Sequence, residues 1–449
     1  MSRNATRISL VQMVHGQGAK VIRHSGITQR LMSLNDQPSL LGLQPTFGFG
    51  DRLGLATPGH IASLKHGRLL PILAQQSVRE MTRTQRTPDE VMAAARRGIE
   101  ETGFRGVWGA DADHLKTRED VFNLAAAGFT FFTIDPSAYV ENAADGLTGD
   151  DLLNAAERVV ASGAFESLKQ VESLYAGKGF DIGVGSPLFL DREAVLRAVV
   201  KYGKAVDYAG KMGAWIEEAR AGKGADIEVS VDETDSPTTP GEHLFIAAEL
   251  RRRGVRAVSV APRFCGEFEK GIDYKGDIAV FETELKVHAA IARTFGPYKI
   301  SVHSGSDKFR IYPVVAAVCG DLLHVKTAGT SYLEALRVVA RVDAGLFSEV
   351  VAYSRGRFDA DKATYHISAT LDGVSAGAGL SAVDLERIYL DEDGGRQILH
   401  VTFGSVLTQG RDRVGRTFKE GILGVLQGHP ALHSEILEGH LGKHLRLLS

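Results

Sequence analysis

Two short segments carry the same arrangement of reactive side chains. Lys299-Ile-Ser-Val-His303-Ser-Gly-Ser-Asp307-Lys308 and Asp321-Leu-Leu-His324-Val-Lys326-Thr-Ala-Gly-Thr330 each end a short apolar run in His plus Lys, followed by Gly and hydroxyl residues. A buried strand that delivers polar groups to a pocket has this pattern. Imidazoles and ammoniums gathered at one mouth can transfer protons, polarise a carbonyl or, as neutral imidazoles, hold a metal. A lone histidine is more often structural, but two His-Lys clusters at the ends of successive predicted strands favour a site.

Further acids and bases close other apolar runs: Asp51 with Arg52, Gln75, Asp111 with Asp113 and His114, Asp135, Asp232 with Glu233, and Arg263. Mixed imidazole and carboxylate donors suit one divalent ion of zinc, manganese, nickel or cobalt better than an oxygen-only magnesium site. The expected ligands are Glu233, His303 and His324, with a position left for substrate oxygens. A helix cap or an ion pair is the competing reading of Asp232 and of Glu233. Asp111 and Asp113 lie two apart, so both face one side of an extended segment and can supply a general base. A solvated turn is the plainer alternative. Arg52, Arg79, Arg263, Lys308 and Lys326 are candidates to hold a carboxylate or polarise a carbonyl, although Arg79 reads equally as a surface pair. Cys265 and Cys319 lack a nucleophile context and read as small core residues.

The elements that must position these groups alternate regularly. Eight strand-then-helix units run from about Thr46 to Val342, and the third and fourth strands read as Gly106-Val-Trp-Gly-Ala110 and Phe129-Thr-Phe-Phe-Thr-Ile134. Strands alternating with helices imply a parallel sheet, and eight units imply a closed α/β barrel of the TIM, or (β/α)8, type. An open doubly wound sheet is the structural alternative. Thr87-Pro88-Asp89-Glu90 is a capping box that starts one of the helices. Residues 1–45 read as an N-terminal extension with a weak strand near Arg7, 46–342 as the catalytic barrel, and about 147–225 as a helical insertion. Residues 343–449 read as an α+β appendage in which Gln397-Ile-Leu-His400-Val-Thr-Phe403 resembles a strand. No Gly-x-Gly-x-x-Gly follows a strand with an acidic partner at the right distance, so no nicotinamide is expected.

Composition narrows the partners. The 449 residues carry 52 Lys+Arg against 55 Asp+Glu, a net charge of -3, so no basic footprint for nucleic acid exists. No signal pattern or membrane-length apolar run is evident, and two cysteines make no disulfide framework. A cytoplasmic protein acting on a small polar or anionic molecule is expected, with a homo-oligomer left open.

Phe47-Gly-Phe-Gly-Asp51-Arg-Leu-Gly-Leu-Ala-Thr-Pro-Gly59, Gly109-Ala-Asp111-Ala-Asp113-His-Leu-Lys116, Val231-Asp-Glu233-Thr, Ala261-Pro-Arg263-Phe, Phe268-Glu-Lys-Gly-Ile-Asp-Tyr274, His303-Ser-Gly-Ser-Asp307-Lys-Phe309, His324-Val-Lys-Thr-Ala-Gly-Thr330 and His400-Val-Thr-Phe-Gly404 together resemble the tagaturonate epimerase family of hexuronate catabolism. The resemblance implies a metal-dependent interconversion of D-tagaturonate and D-fructuronate, keto sugar acids that differ at one carbinol β to the ketone. Enolisation cannot reach that hydrogen. A retro-aldol route, with Asp113 or Glu267 as base, or a hydride route through a transient ketone remains, and the missing dinucleotide fingerprint favours the first. The expected reacting groups are Asp113, Glu267 and Lys326, and the expected substrate contacts are Asp51, Arg52, Gln75, Asp111, Arg263, Ser304, Asp307, Lys308 and Thr327. A metal-dependent aldolase or ketose isomerase, or a sugar-acid binding protein without catalysis, are the other readings.

Overall fold

Apolar strands that alternate with capped helices close, in the computed structural model, into a barrel of eight parallel strands. The structure describes residues 37–377 and 379–449; the strand expected near Arg7 lies outside them. The strands are β1 Thr46–Gly50, β2 Leu70–Ser77, β3 Gly109–Leu115, β4 Phe131–Ile134, β5 Asp226–Val231, β6 Ala257–Pro262, β7 Lys299–Val302 and β8 Leu323–Thr327. β8 closes the ring against β1, with Thr46 opposite His324 and Gly48 opposite Lys326.

The outer helices are α1 Thr57–Ser63, α2 Pro88–Thr102, α3 Arg118–Ala126, α4 Arg192–Arg220, α5 Pro240–Arg252, α6 Ile278–Phe295, α7 Tyr312–Cys319 and α8 Thr330–Val342. Thr87, Thr117 and Thr239 each accept from the backbone N–H three residues on, while Glu90, Asp120 and Glu242 reach back to the cap. Such caps contribute about 1 kcal/mol each and start the helix at a defined residue, leaving the preceding loop to carry chemistry.

Three sequence expectations change. β3 begins at Gly109 and runs through Asp111 and Asp113, whereas the sequence reading ends it at Ala110. Acids oppose strand formation in an average setting, but here they point into the barrel onto Lys326, and context overrides propensity. The 147–225 insertion is smaller than its length suggests, because α4 is the fourth crossover helix and packs on α3 and α5. The added part is two helices, Gly149–Val159 and Leu168–Tyr175, and a hairpin of Lys178–Phe180 with Leu188–Leu190.

Finally, the region after residue 343 is helical, and Gln397–Val401 ends a helix rather than forming a strand. Its elements include α9 Ala344–Asp361, α10 Asp393–Val401 and the last helix, α11 Pro430–Leu447. Residues Gln397 to Val401 are all buried, so the segment shows no polar face to mark its helical period. Two large apolar cores result, beside a small cluster of Leu41, Ile72 and Phe131. The barrel, the insertion and Leu437, Leu441 and Leu445 of α11 form one. The outer face of α8, through Leu333, Leu336 and Val339, forms the other with the helices after Val342. Among the described residues, no helix is long and apolar enough to cross a membrane.

Candidate active site

Alternate residues of each strand face the barrel interior, and the polar ones form layers. The lowest layer holds Lys299 and His324 around Thr46 and Phe131: His324 Nδ1 lies 2.8 Å from Thr46 Oγ1 and Lys299 Nζ donates to the same oxygen at 3.1 Å. Two residues further along β8, roughly 6.6 Å higher, Lys326 stands at the centre. Its Nζ is 2.8 Å from Asp111, 2.7 Å from Asp113 and 2.8 Å from Glu228, and donates to Thr133 Oγ1 at 2.6 Å. Burial opposes the ammonium, but these three carboxylates hold it well above the ordinary lysine range. Burial also pushes Asp111 up to about 7, against the pull of Lys326 and with the push of Asp113 and Glu228. It works equally against ionised Asp113 and Glu228; His114 and Lys326 beside the first, and Lys326 and His303 beside the second, keep both well below the usual carboxylate range.

Above this layer, the mouth brings His114, Asp232 and His303 together, with one donor atom from each within 4.8 Å of the others. Strand parity explains Asp232: Glu228 and Ser230 face inward, and Asp232 continues that face just beyond β5. Glu233 falls on the other side, 37% exposed at its side chain and 3.7 Å from Arg79. His114 should point away from Asp113 by the same rule. The register of β3 slips between Ala112 and Leu115, and His114 takes φ 55°, the left-handed region that a residue with a Cβ seldom occupies. That turn brings its ring to 5.1 Å from the ring of His303.

The donor set fits a divalent transition metal. His114 Nδ1 is 2.8 Å from Asp113 and His303 Nε2 is 2.7 Å from Glu228, so a carboxylate orients each ring and leaves its other nitrogen for a ligand. Asp232 lies 3.2 Å from that remaining nitrogen of His303. Burial disfavours the His303 imidazolium, yet Asp232 and Glu228 raise it to about 10. A second group, Asp307 with His440 and His444, does not fit. Arg396 already donates to Asp307 at 2.9 Å, and the Asp307 N–H donates to His444 Nε2 at 3.0 Å.

These groups open on a cavity of about 370 Å³. Arg52, Gln75, Asp113, Glu233, Arg263, Glu267, His303, Ser304 and Lys326 of the expected set line it. Glu267 does so from the rim, 45% exposed at its side chain and 2.5 Å from His366. Asp111 lies beneath the floor, and His324 one layer below that. The other expected contacts have structural partners. Asp51 accepts the N–H groups of Leu53, Gly54 and Ala56, and Thr327 Oγ1 donates to the Gly48 carbonyl. Lys308 Nζ donates to the carbonyls of Glu269, Ile272 and Ser306, and Asp307 is tied to Arg396 and His440.

Sequence reasoning assigned no role to Glu228, Lys270 or His400. Glu228 had a signal, a carboxylate inside the apolar run Ile227-Glu-Val-Ser-Val231, since an unpaired buried acid is rare. His400 and Lys270 stand in two of the segments that carry the family resemblance, but no local pattern assigns them a role, because the appendage and the β6–α6 loop reach the cavity only in three dimensions.

The comparisons agree with this architecture. The family model for tagaturonate epimerase matches residues 23–448. The chain is 42% identical over 412 residues to the tagaturonate/fructuronate epimerase of Thermotoga maritima, covering 92% of this chain and 82% of that one. A glycerol complex of the fructuronate-tagaturonate epimerase of Cohnella laeviribosi superposes with a TM-score of 0.86 at 38% identity, over 94% of this chain and 85% of that one. Its native form gives 0.85, again at 38% identity, over 92% and 83%. Sequence and fold thus match along nearly the whole length, and the chain belongs to the tagaturonate epimerase family.

Proposed function

We propose that this chain is an isomerase that interconverts D-tagaturonate and D-fructuronate by breaking and re-forming one carbon-carbon bond. The carrying observation is the position of Asp113: it lines the cavity, 2.7 Å from Lys326 and beside the imidazole pair. Of the two expected bases, Glu267 is exposed at the rim and already bound to His366, which favours Asp113. Asp113 takes the proton of the hydroxyl β to the ketone. The bond between the α and β carbons breaks, its electron pair passes to the ketone half as an enediolate, and the β carbon becomes an aldehyde. The aldehyde turns, the bond re-forms on its other face, and Asp113 returns the proton to the new alkoxide. Lys326 keeps Asp113 ionised beforehand and faces the negative charge that develops at this layer. His114, Asp232 and His303 would hold the divalent cation, zinc, manganese, nickel or cobalt, whose positive charge draws electrons from the ketone oxygen.

A nuclear magnetic resonance time course of metal-stripped protein with D-tagaturonate, before and after adding each metal, tests this. Metal-dependent appearance of D-fructuronate is expected. Absence of turnover with every metal would overturn the reading, and a tightly bound nicotinamide in the purified protein would replace bond cleavage with the hydride route.

A further inference from the structure

Two parts of the cavity wall differ in charge. Asp113 and Asp232 lie against the imidazole pair, and Arg52, Lys270 and His400 line another part. Arg52 is held rigidly there: Nε and Nη2 donate to Glu80 at 2.8 and 2.6 Å, and the guanidinium carbon lies 3.6 Å from the centre of the Phe403 ring. Its third nitrogen, Nη1, is buried with no hydrogen-bond partner among the described residues. Arg52 Nη2 also lies 3.4 Å from His400 Nε2. A guanidinium only donates, so Nε2 accepts and the ring proton sits on Nδ1, which is likewise buried and unpartnered among the described residues. Lys270 Nζ donates to Ser304 Oγ at 2.5 Å, and no carboxylate pairs with it among the described residues.

Glu80 pairs with Arg52 and no carboxylate pairs with Lys270 among the described residues, which leaves a single positive charge and two idle buried donors. Buried donors without partners are costly, so this end is complementary to an anion absent from the bare chain. Of the other cations of the wall, Lys326 is held by three carboxylates and Arg79 pairs with Glu233, while Arg263 donates to the Thr234 carbonyl, next in the chain after Asp232 and Glu233.

We propose that Arg52, Lys270 and His400 form a carboxylate subsite that grips the acid end of the substrate, and that Lys270 retains the acid-bearing fragment while the carbon chain is broken. The proposal rests on the epimerase reading above. Cleavage between the α and β carbons yields the enediolate of dihydroxyacetone and 2-hydroxy-3-oxopropanoate, the β hydroxyl proton having gone to Asp113. Inversion requires the aldehyde to turn about the bond to its own neighbouring carbon while the carboxylate stays fixed. A fragment that loses its anchor escapes, and the enzyme then leaks as an aldolase.

The test uses full-length, metal-loaded protein and the variants Lys270→Met and Lys270→Arg. One measurement is turnover of D-tagaturonate with the free fragments trapped; the other is calorimetric binding of L-glycerate, which carries the same three-carbon acid end. Lys270→Met is expected to raise KM by 10-fold to 100-fold, to release fragments that the parent retains, and to lose L-glycerate binding, with Lys270→Arg restoring much of each. An unchanged KM without fragments, or unchanged L-glycerate binding, overturns the subsite. If the parent binds L-glycerate through Lys270 but turns over no tagaturonate, the subsite stands and the epimerase reading falls.

Discussion

Exchanging Asp232 for asparagine separates the two ways of choosing a carboxylate ligand in Val231-Asp-Glu233-Thr. The exchange keeps side-chain size and removes one negative charge from the oxygen 3.2 Å from His303 Nδ1. A carboxylate that merely orients a ligand is worth 10-fold to 100-fold in metal affinity. One that itself donates should cost at least the upper figure, about 2.7 kcal/mol. Glu233→Gln should change affinity by less than about 0.5 kcal/mol, because Glu233 lies off the inward face and pairs weakly with Arg79 at a half-exposed site. Titrating metal-stripped protein with cobalt, followed by its visible absorption bands and by calorimetry, measures both constants without turnover. Circular dichroism checks that both variants fold. Equal loss in the two variants, or greater loss with Glu233→Gln, would refute the parity argument.

Other consequences concern the scaffold. Arg396 donates to Asp307 across the junction between the β7–α7 loop and the appendage, and both are buried. Arg396→Met should destabilise the protein by about 1.5–3 kcal/mol, since it removes one of two cationic partners of a buried carboxylate and leaves only His440. A double-mutant cycle with Asp307→Asn, read by denaturant midpoint, should show that most of the loss is shared, whereas additive losses would disprove the coupling. The buried pair His243 and His288, with Nδ1 atoms 2.8 Å apart and Tyr298 closing the far side of His243, should give the fold an acid limit. Burial lowers His288 from 6.5 to about 4, so the unfolded chain binds the extra proton between those values. Stability is complete above about pH 6.5 and falls by about 3 kcal/mol toward pH 4 from His288 alone. His288→Leu should flatten the midpoint-versus-pH curve over that window, and an unchanged slope would count against it.

The barrel was legible because each strand-helix unit carries its own signals: apolar runs for strands, and Thr-x-x-Glu or Thr-x-x-Asp boxes that start helices. Lys326, His303 and Asp113 were legible because a charged group at the end of an apolar strand has few structural uses. The appendage was misread at Gln397–Phe403, where burial on every side hides the helical period. The structure gathers a different donor group from the expected one, for two different reasons. Asp232 over Glu233 follows from extending the alternation Glu228, Ser230, Asp232, which local sequence contains. His114 follows from a register slip and a left-handed backbone turn, which neighbouring strands impose.

His324 makes the same distinction from the other side. Its pattern matches that of His303, yet one strand delivers its histidine past its own end into the mouth and the other holds its histidine within the first half of the strand, a layer below Lys326. Local order along the chain sets which residues face inward, since side-chain alternation is a property of the single strand. How high each inward residue stands depends on the stagger between strands, and that is fixed only when the barrel closes. The convergence of Arg52, Lys270 and His400 likewise exists only once the appendage packs on α8 and brings a distant helix to the cavity wall.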